Sequence, residues 1–135
     1  MRYAAAFLAS ATGGEWNGTP TASDDIAIDS RTLPAGAIYV ALIGERLDGH
    51  AFVASALEHG AAAAIIALDR LKEIRAQVPS LPLLLVDDPL KAMQALANAH
   101  RRRLNARMIG VCGSNGKTTT KEMIAAVTAQ AGRTH

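Results

Sequence analysis

Three short aliphatic runs, at residues 38–43, 61–67 and 83–86, alternate with stretches whose apolar residues recur at helical spacing, and this alternation restricts the chain to α/β layering. Each run is too short for a helix and apolar at nearly every position, the pattern of a parallel strand buried on both faces. A fourth run, at 107–112, predicts another short strand. The intervening helices are marked by their ends. Residues 51–59 place Phe52 over Ala56 and Val53 over Leu57 before Gly60 stops them, and a helix around 69–77 is closed off by Pro79 and Pro82. Asp88 and Pro89 read as the cap and first position of a helix whose face Leu90, Met93, Leu96 and Ala97 continues to Leu104. Aromatic residues make up only 4% of the chain, so the core has to be built from Ala, Leu, Ile and Val.

The first residues fit an amphipathic helix ended by Gly13-Gly14 better than a cleaved signal peptide, although Met1-Arg2 and Ala9-Ser10-Ala11 imitate one. Ile26 and Ile28 alternate with polar neighbours and predict a short strand leading into Asp29-Ser30-Arg31. Leu33-Pro34-Ala35-Gly36 reads as a type I turn, with Pro second and Gly fourth. No apolar run approaches the ~20 residues of a spanning helix, so no membrane insertion is expected. The net charge is +2, from 14 basic and 12 acidic residues, too balanced to mark a nucleic-acid surface. Arg101, Arg102 and Arg103, with Arg107 nearby, read instead as a solvated helix end that complements the dipole. A lone cysteine, Cys112, excludes an internal disulfide framework, and no Cys/His spacing suits zinc.

The most specific chemistry lies in Cys112-Gly113-Ser114-Asn115-Gly116-Lys117-Thr118-Thr119-Thr120, between the fourth aliphatic run and a helix over about 117–131. Glycines there let backbone N–H groups approach phosphate oxygens without an intervening Cβ, and the helix N-terminus adds partial positive charge. Lys117 can reach the β- and γ-phosphates, and the Thr118 hydroxyl can ligate Mg²⁺. The general pattern G-x-x-x-x-G-K-[ST] is not met, since its first glycine falls on Val111. A turn that merely caps a helix would have no need of three threonines after Gly-Lys.

Residues 113–123, GSNGKTTTKEM, closely resemble the ATP loop of the Mur ligases, the ATP-dependent amide-bond-forming enzymes of peptidoglycan precursor synthesis, whose loop is G-x-x-G-K-T/S. Residues 29–65 resemble the N-terminal uridine-nucleotide-binding domain of two members of that family, one adding the third amino acid and the other D-alanyl-D-alanine. The Lys121-Glu122-Met123 continuation, Ser114 and the GERLDGH loop tilt the match towards the second. The resemblance implies a small N-terminal uridine-nucleotide-binding α/β domain over 1–86, followed over 87–135 by the first strand, P-loop and helix of a truncated ATPase domain. It implies a cytoplasmic, monomeric enzyme in which ATP turns a substrate carboxylate into an acyl phosphate for attack by an amine. A fragment of this size is expected to be inactive alone.

By the same resemblance, Gly113, Ser114, Asn115, Gly116, Lys117, Thr118 and Thr119 would cradle ATP, with Lys117 on the phosphates and Thr118 on Mg²⁺ as the residues of catalysis. Ser30, Arg31, Glu45, Arg46 and His50 would hold the UDP-N-acetylmuramoyl-peptide, Arg31 through the planar fork that suits a diphosphate. D-alanyl-D-alanine would be the second substrate. From the residues alone two alternatives remain, a standalone nucleotide-binding module acting through a partner chain and a nucleic-acid binder using the arginine cluster, the latter marked by steep salt dependence.

Overall fold

The computed structural model describes residues 2–134. The described residues divide into two compact units, 2–104 and 105–134.

In the first unit, α1 (Ala5–Thr12) ends at Gly13 with φ 71°, the left-handed C-cap expected of a glycine there. The strands are β1 (Glu15–Asn17), β2 (Ile26–Ala27), β3 (Ile38–Val40), β4 (Ala63–Ala67) and β5 (Leu83–Val86). They form one sheet in the order β1-β5-β4-β3-β2, parallel except for β1, which runs antiparallel to β5. Helices α2 (Val53–Glu58) and α3 (Leu71–Gln77) fall between β3, β4 and β5, and α4 (Pro89–Arg103) follows the last strand. Side chains of β4 alternate between the two faces, as strand geometry requires. Ala64 and Ile66 join Val53, Ala56, Ile74 and Leu83 on one side. Ala63 and Ile65 join Leu8, Val40, Ala92 and Leu96 on the other. The result is a helix–sheet–helix sandwich with a mostly aliphatic centre, in which Tyr39 is the buried aromatic residue.

Several local readings change in detail. The turn before β3 is Pro34-Ala35-Gly36-Ala37, closed by Ala37 N–H to Pro34 O at 3.0 Å, one residue later than expected. Gly36 is then third, at φ 84°, which is the type II geometry that needs glycine. The buried stripe of α4 is Pro89, Ala92 and Leu96, whereas Leu90 and Ala97 face water. Strand β1 carries no apolar alternation and is not anticipated. It is held by geometry instead, since a Cβ on Gly14 would lie 2.7 Å from Leu85 O. The Arg75 guanidinium donates to the carbonyls of Val78, Pro79 and Leu81 and, across the gap, to the carbonyl and side-chain oxygen of Asn17 in β1.

Helix α4 begins as expected, with Asp88 Oδ1 accepting from Leu90 N at 2.9 Å and Lys91 N at 3.1 Å. The expected boundary at 86/87 nevertheless falls inside the first unit. Ala92 and Leu96 belong to the same core as Leu8 and Val86, so α4 is one of its layers and the compact unit runs to Leu104.

The second unit holds one helix, α5 (Lys117–Thr128). The strand expected at 107–112 does not form. A strand exchanges its hydrogen bonds with a neighbour, and among the described residues none pairs with this segment. Met108 and Ile109 are exposed accordingly.

Candidate functional site

A cavity of about 470 Å³ opens beyond the carboxyl ends of β2 and β3, where open parallel sheets place their ligands. One wall is the segment after β2, with Ile28, Asp29, Ser30 and Arg31; the other is the loop after β3, with Leu42, Gly44 and Leu47. Tyr39 forms part of the lining, and Phe52 stands at the exposed rim.

Each polar group is placed by a local device. Arg31 N–H donates to Asp29 Oδ1 at 3.0 Å, an Asx turn that bends the chain at Ser30. The Arg31 side chain folds back on the same carboxylate through Nε at 3.0 Å and Nη2 at 2.8 Å. This bidentate pair holds the Asp29 carboxyl at about 2, below its ordinary 3.8, chiefly through the side-chain hydrogen bond from Arg31. The Arg31 side chain as a whole stays 81% exposed, so its remaining N–H groups are accessible at the cavity mouth. Ser30 is only 4% exposed and belongs to the cavity lining. Burial, with the nearby carboxylates of Asp29 and Asp48, pushes the Tyr39 phenol up, and its hydroxyl donates to Gly49 O at 3.0 Å.

The site residues expected from sequence separate here. Ser30 and Arg31 converge on the cavity. Glu45 and Arg46 sit exposed at the tip of the loop whose Gly44 and Leu47 line it. His50 does not face a ligand. It is 1% exposed, with Nδ1 2.7 Å from Asp48 Oδ1 and Nε2 accepting from Ala67 N at 2.9 Å, so both ring nitrogens are used internally. Asp29, Leu47 and Tyr39 were missed. Asp29 was legible as an acid two residues before an arginine, and Leu47 as the one aliphatic residue inside a polar loop.

In the second unit, Gly113 and Gly116 adopt φ 146° and 74°, conformations that only glycine takes without strain. Gly116 is the N-cap of α5 and brings no side-chain hydrogen bond. The first amides of the helix, at Lys117, Thr118 and Thr119, have no partner in the helix. A Cβ at Gly116 would meet nothing within 4 Å, and Lys117 and Thr118 are exposed. Free amides, an ammonium and a hydroxyl at one helix start fit a polyphosphate and its Mg²⁺. Among the described residues no group of three His, Cys, Asp or Glu is placed to hold a metal ion.

A layered, mostly parallel sheet with a cavity at its carboxyl edge, followed in sequence by a Gly-Lys-Thr helix start, defines a layered α/β protein. Residues 24–101, more than half of the chain, match the model of the Mur ligase family, catalytic domain, and the chain belongs to that family. It is 46% identical over 114 residues to the UDP-N-acetylmuramoyl-tripeptide–D-alanyl-D-alanine ligase of Bacillus subtilis (strain 168), covering 82% of this chain and 23% of the relative. It is 41% identical over 124 residues to the UDP-N-acetylmuramoyl-L-alanyl-D-glutamate–2,6-diaminopimelate ligase of Chlorobium phaeobacteroides (strain DSM 266 / SMG 266 / 2430), covering 87% and 22%. Among solved structures it is similar to MurF from Acinetobacter baumannii, with a TM-score of 0.81 and 34% identity over 96% of this chain and 28% of that one. The chain spans about a quarter of the length of the curated relatives it matches. No described helix is long and apolar enough to cross a membrane.

Proposed function

We propose that this chain supplies the uridine-nucleotide site and the ATP loop of a cytoplasmic amide ligase of peptidoglycan precursor synthesis, one that joins D-alanyl-D-alanine to UDP-N-acetylmuramoyl-tripeptide. The cavity carries the reading. It offers apolar walls to a planar base, Ser30 in its lining, and at its mouth the exposed Arg31 side chain, whose N–H groups not taken by Asp29 can meet a diphosphate. Glu45 and Arg46, at the tip of the flanking loop, are positioned to meet the sugar or peptide beyond the base. In this reading the uridine-nucleotide unit extends through Leu104, because α4 is part of its core, and the ATP-binding portion begins at Asn105.

ATP, when bound, supplies the phosphoryl group that makes a carboxylate reactive towards an amine. The chain's own contribution is electrostatic: the amides of residues 113–119 and the Lys117 ammonium concentrate positive charge where phosphate oxygens lie, and the Thr118 hydroxyl offers Mg²⁺ an oxygen. The likeness to the Bacillus subtilis enzyme supports D-alanyl-D-alanine as the amine. The likeness to the Chlorobium ligase supports a second reading with the same chemistry and 2,6-diaminopimelate as the amine.

Calorimetric titration of uridine diphosphate into the protein tests the assignment. Binding is expected, weakened about tenfold in Arg31→Ala through the lost charge-assisted contact and several-fold in Ser30→Ala. Equal affinity for uridine and adenosine diphosphates, or an unchanged affinity in both variants, would move the site elsewhere.

A further inference from the structure

The loop after β3 carries its own internal hydrogen bonds. Gly49 N–H donates to Leu42 O at 2.8 Å and Gly44 N–H to Leu47 O at 2.9 Å, while Ile43 and Asp48 bridge across the neck. A Cβ on Gly49 would lie 2.6 Å from Leu42 O, so the neck closes as tightly as a backbone can. These bonds give the loop a shape. They do not by themselves fix how it leans over the cavity.

Its orientation comes from β4. Ala67 N–H, at the end of that strand, donates to His50 Nε2, which forces the ring proton onto Nδ1 and points it at Asp48 Oδ1, 2.7 Å away. The same oxygen accepts His50 N–H at 3.0 Å. The other carboxylate oxygen accepts from Arg70 Nη2 at 3.0 Å, and Arg70 sits in the turn directly after β4. Asp48 is therefore gripped from two sides by groups anchored to one buried strand, and Leu47, its neighbour in the chain, is one of the residues the loop presents to the cavity. Arg70 does not line that cavity; it borders a separate hollow with Ile43, Asp69 and Pro89.

We infer that Arg70 is a positioning residue for uridine-nucleotide binding, acting on the cavity only through Asp48 and His50. The inference rests on the proposed nucleotide site but concerns groups that never touch the ligand. Holding the loop in its binding orientation beforehand removes an ordering cost from each binding event. Arg70 also pairs with Glu73 Oε2 at 3.2 Å, a contact on its far side that provides a control.

Two measurements on the protein decide it. Arg70→Ala, at a part-exposed position that tolerates truncation, is expected to weaken uridine diphosphate binding about fivefold and to speed amide hydrogen exchange at Gly44 and Gly49 in nucleotide-free protein. Arg70→Lys, which keeps a charge able to reach Asp48, should recover most of both, and Glu73→Ala should change affinity less than about twofold. Unchanged exchange at Gly44 and Gly49 in Arg70→Ala would overturn the positioning role, whatever the affinity does. Faster exchange with unchanged affinity would overturn its link to binding. Should the wild-type protein fail to bind uridine diphosphate, the proposed function falls, with the role of Arg70 in binding; exchange would still report whether it anchors the loop.

Discussion

The two units of this chain obey different economies of structure. In residues 2–104 every central strand is buried on both faces, and each helix owes its place to side chains contributed by another element. In residues 105–134 the helix α5 has no buried residue at all, yet it forms, while the aliphatic segment before it does not become a strand. A helix closes its hydrogen bonds within itself and needs only a start signal such as Gly116, whereas a strand needs a neighbour. Aliphatic pattern is thus a sufficient cue for a strand only where the sheet that completes it is present.

The sharpest way to break this contrast is a pair of truncations. Ile66→Ala, at the sealed centre of β4, should lower the unfolding free energy by about 2–5 kcal/mol in urea titrations. Met123→Ala, on α5 with 65% of its surface exposed, should change it by less than about 0.5 kcal/mol. Comparable losses at the two positions would show that α5 is packed in solution.

Next in size is the Arg75 clasp. Its guanidinium holds carbonyls after α3 and reaches Asn17 on β1, so Arg75→Ala should cost about 1–3 kcal/mol and loosen β1. Trp16 lies in that strand and is the chain's single tryptophan, making its fluorescence a direct reporter of the change.

On the other side of the comparison, the proposed ATP loop predicts that Lys117→Ala reduces ATP affinity about tenfold or more while the unfolding midpoint stays put, because the exposed side chain supports no core. A shifted midpoint with unaltered ATP affinity would reverse that assignment.

The smallest effect concerns Asp29. Its carboxyl titrates at about 2 in the folded protein against an ordinary 3.8, so the folded state binds its proton less readily than the unfolded chain does. The stabilisation from its pair with Arg31 is complete above pH 4 and disappears as pH falls through 2. Carbon-detected titration of the Asp29 carboxyl should show the low value, and Arg31→Ala should return it towards 3.8.

What the sequence disclosed follows the same division. Runs at 38–43, 61–67 and 83–86 announced β3, β4 and β5 because burial on both faces leaves an uninterrupted aliphatic signature. The start of α4 was plain from Asp88-Pro89, since a cap acts within four residues. Its allegiance to the first unit was not, because Ala92 and Leu96 reveal their partners only when Leu8, some eighty positions earlier, is folded against them. In the cavity, Ser30 and Arg31 were readable from their turn. His50 misled because a histidine beside a glycine loop resembles a ligand contact, and only the approach of Ala67 N–H shows that its ring faces inward.

The lengths of the outer strands carry a consequence for the behaviour of the protein in a crowded cell. A core of bare alanine, isoleucine and leucine ribbons is the kind of surface that recruits further chains when its rim is open. Here the rims are three residues at one end, turned antiparallel and clamped by a guanidinium, and two residues at the other. Neither is long enough to template growth, so a sequence rich in aggregation-prone segments is shielded at its two margins by brevity.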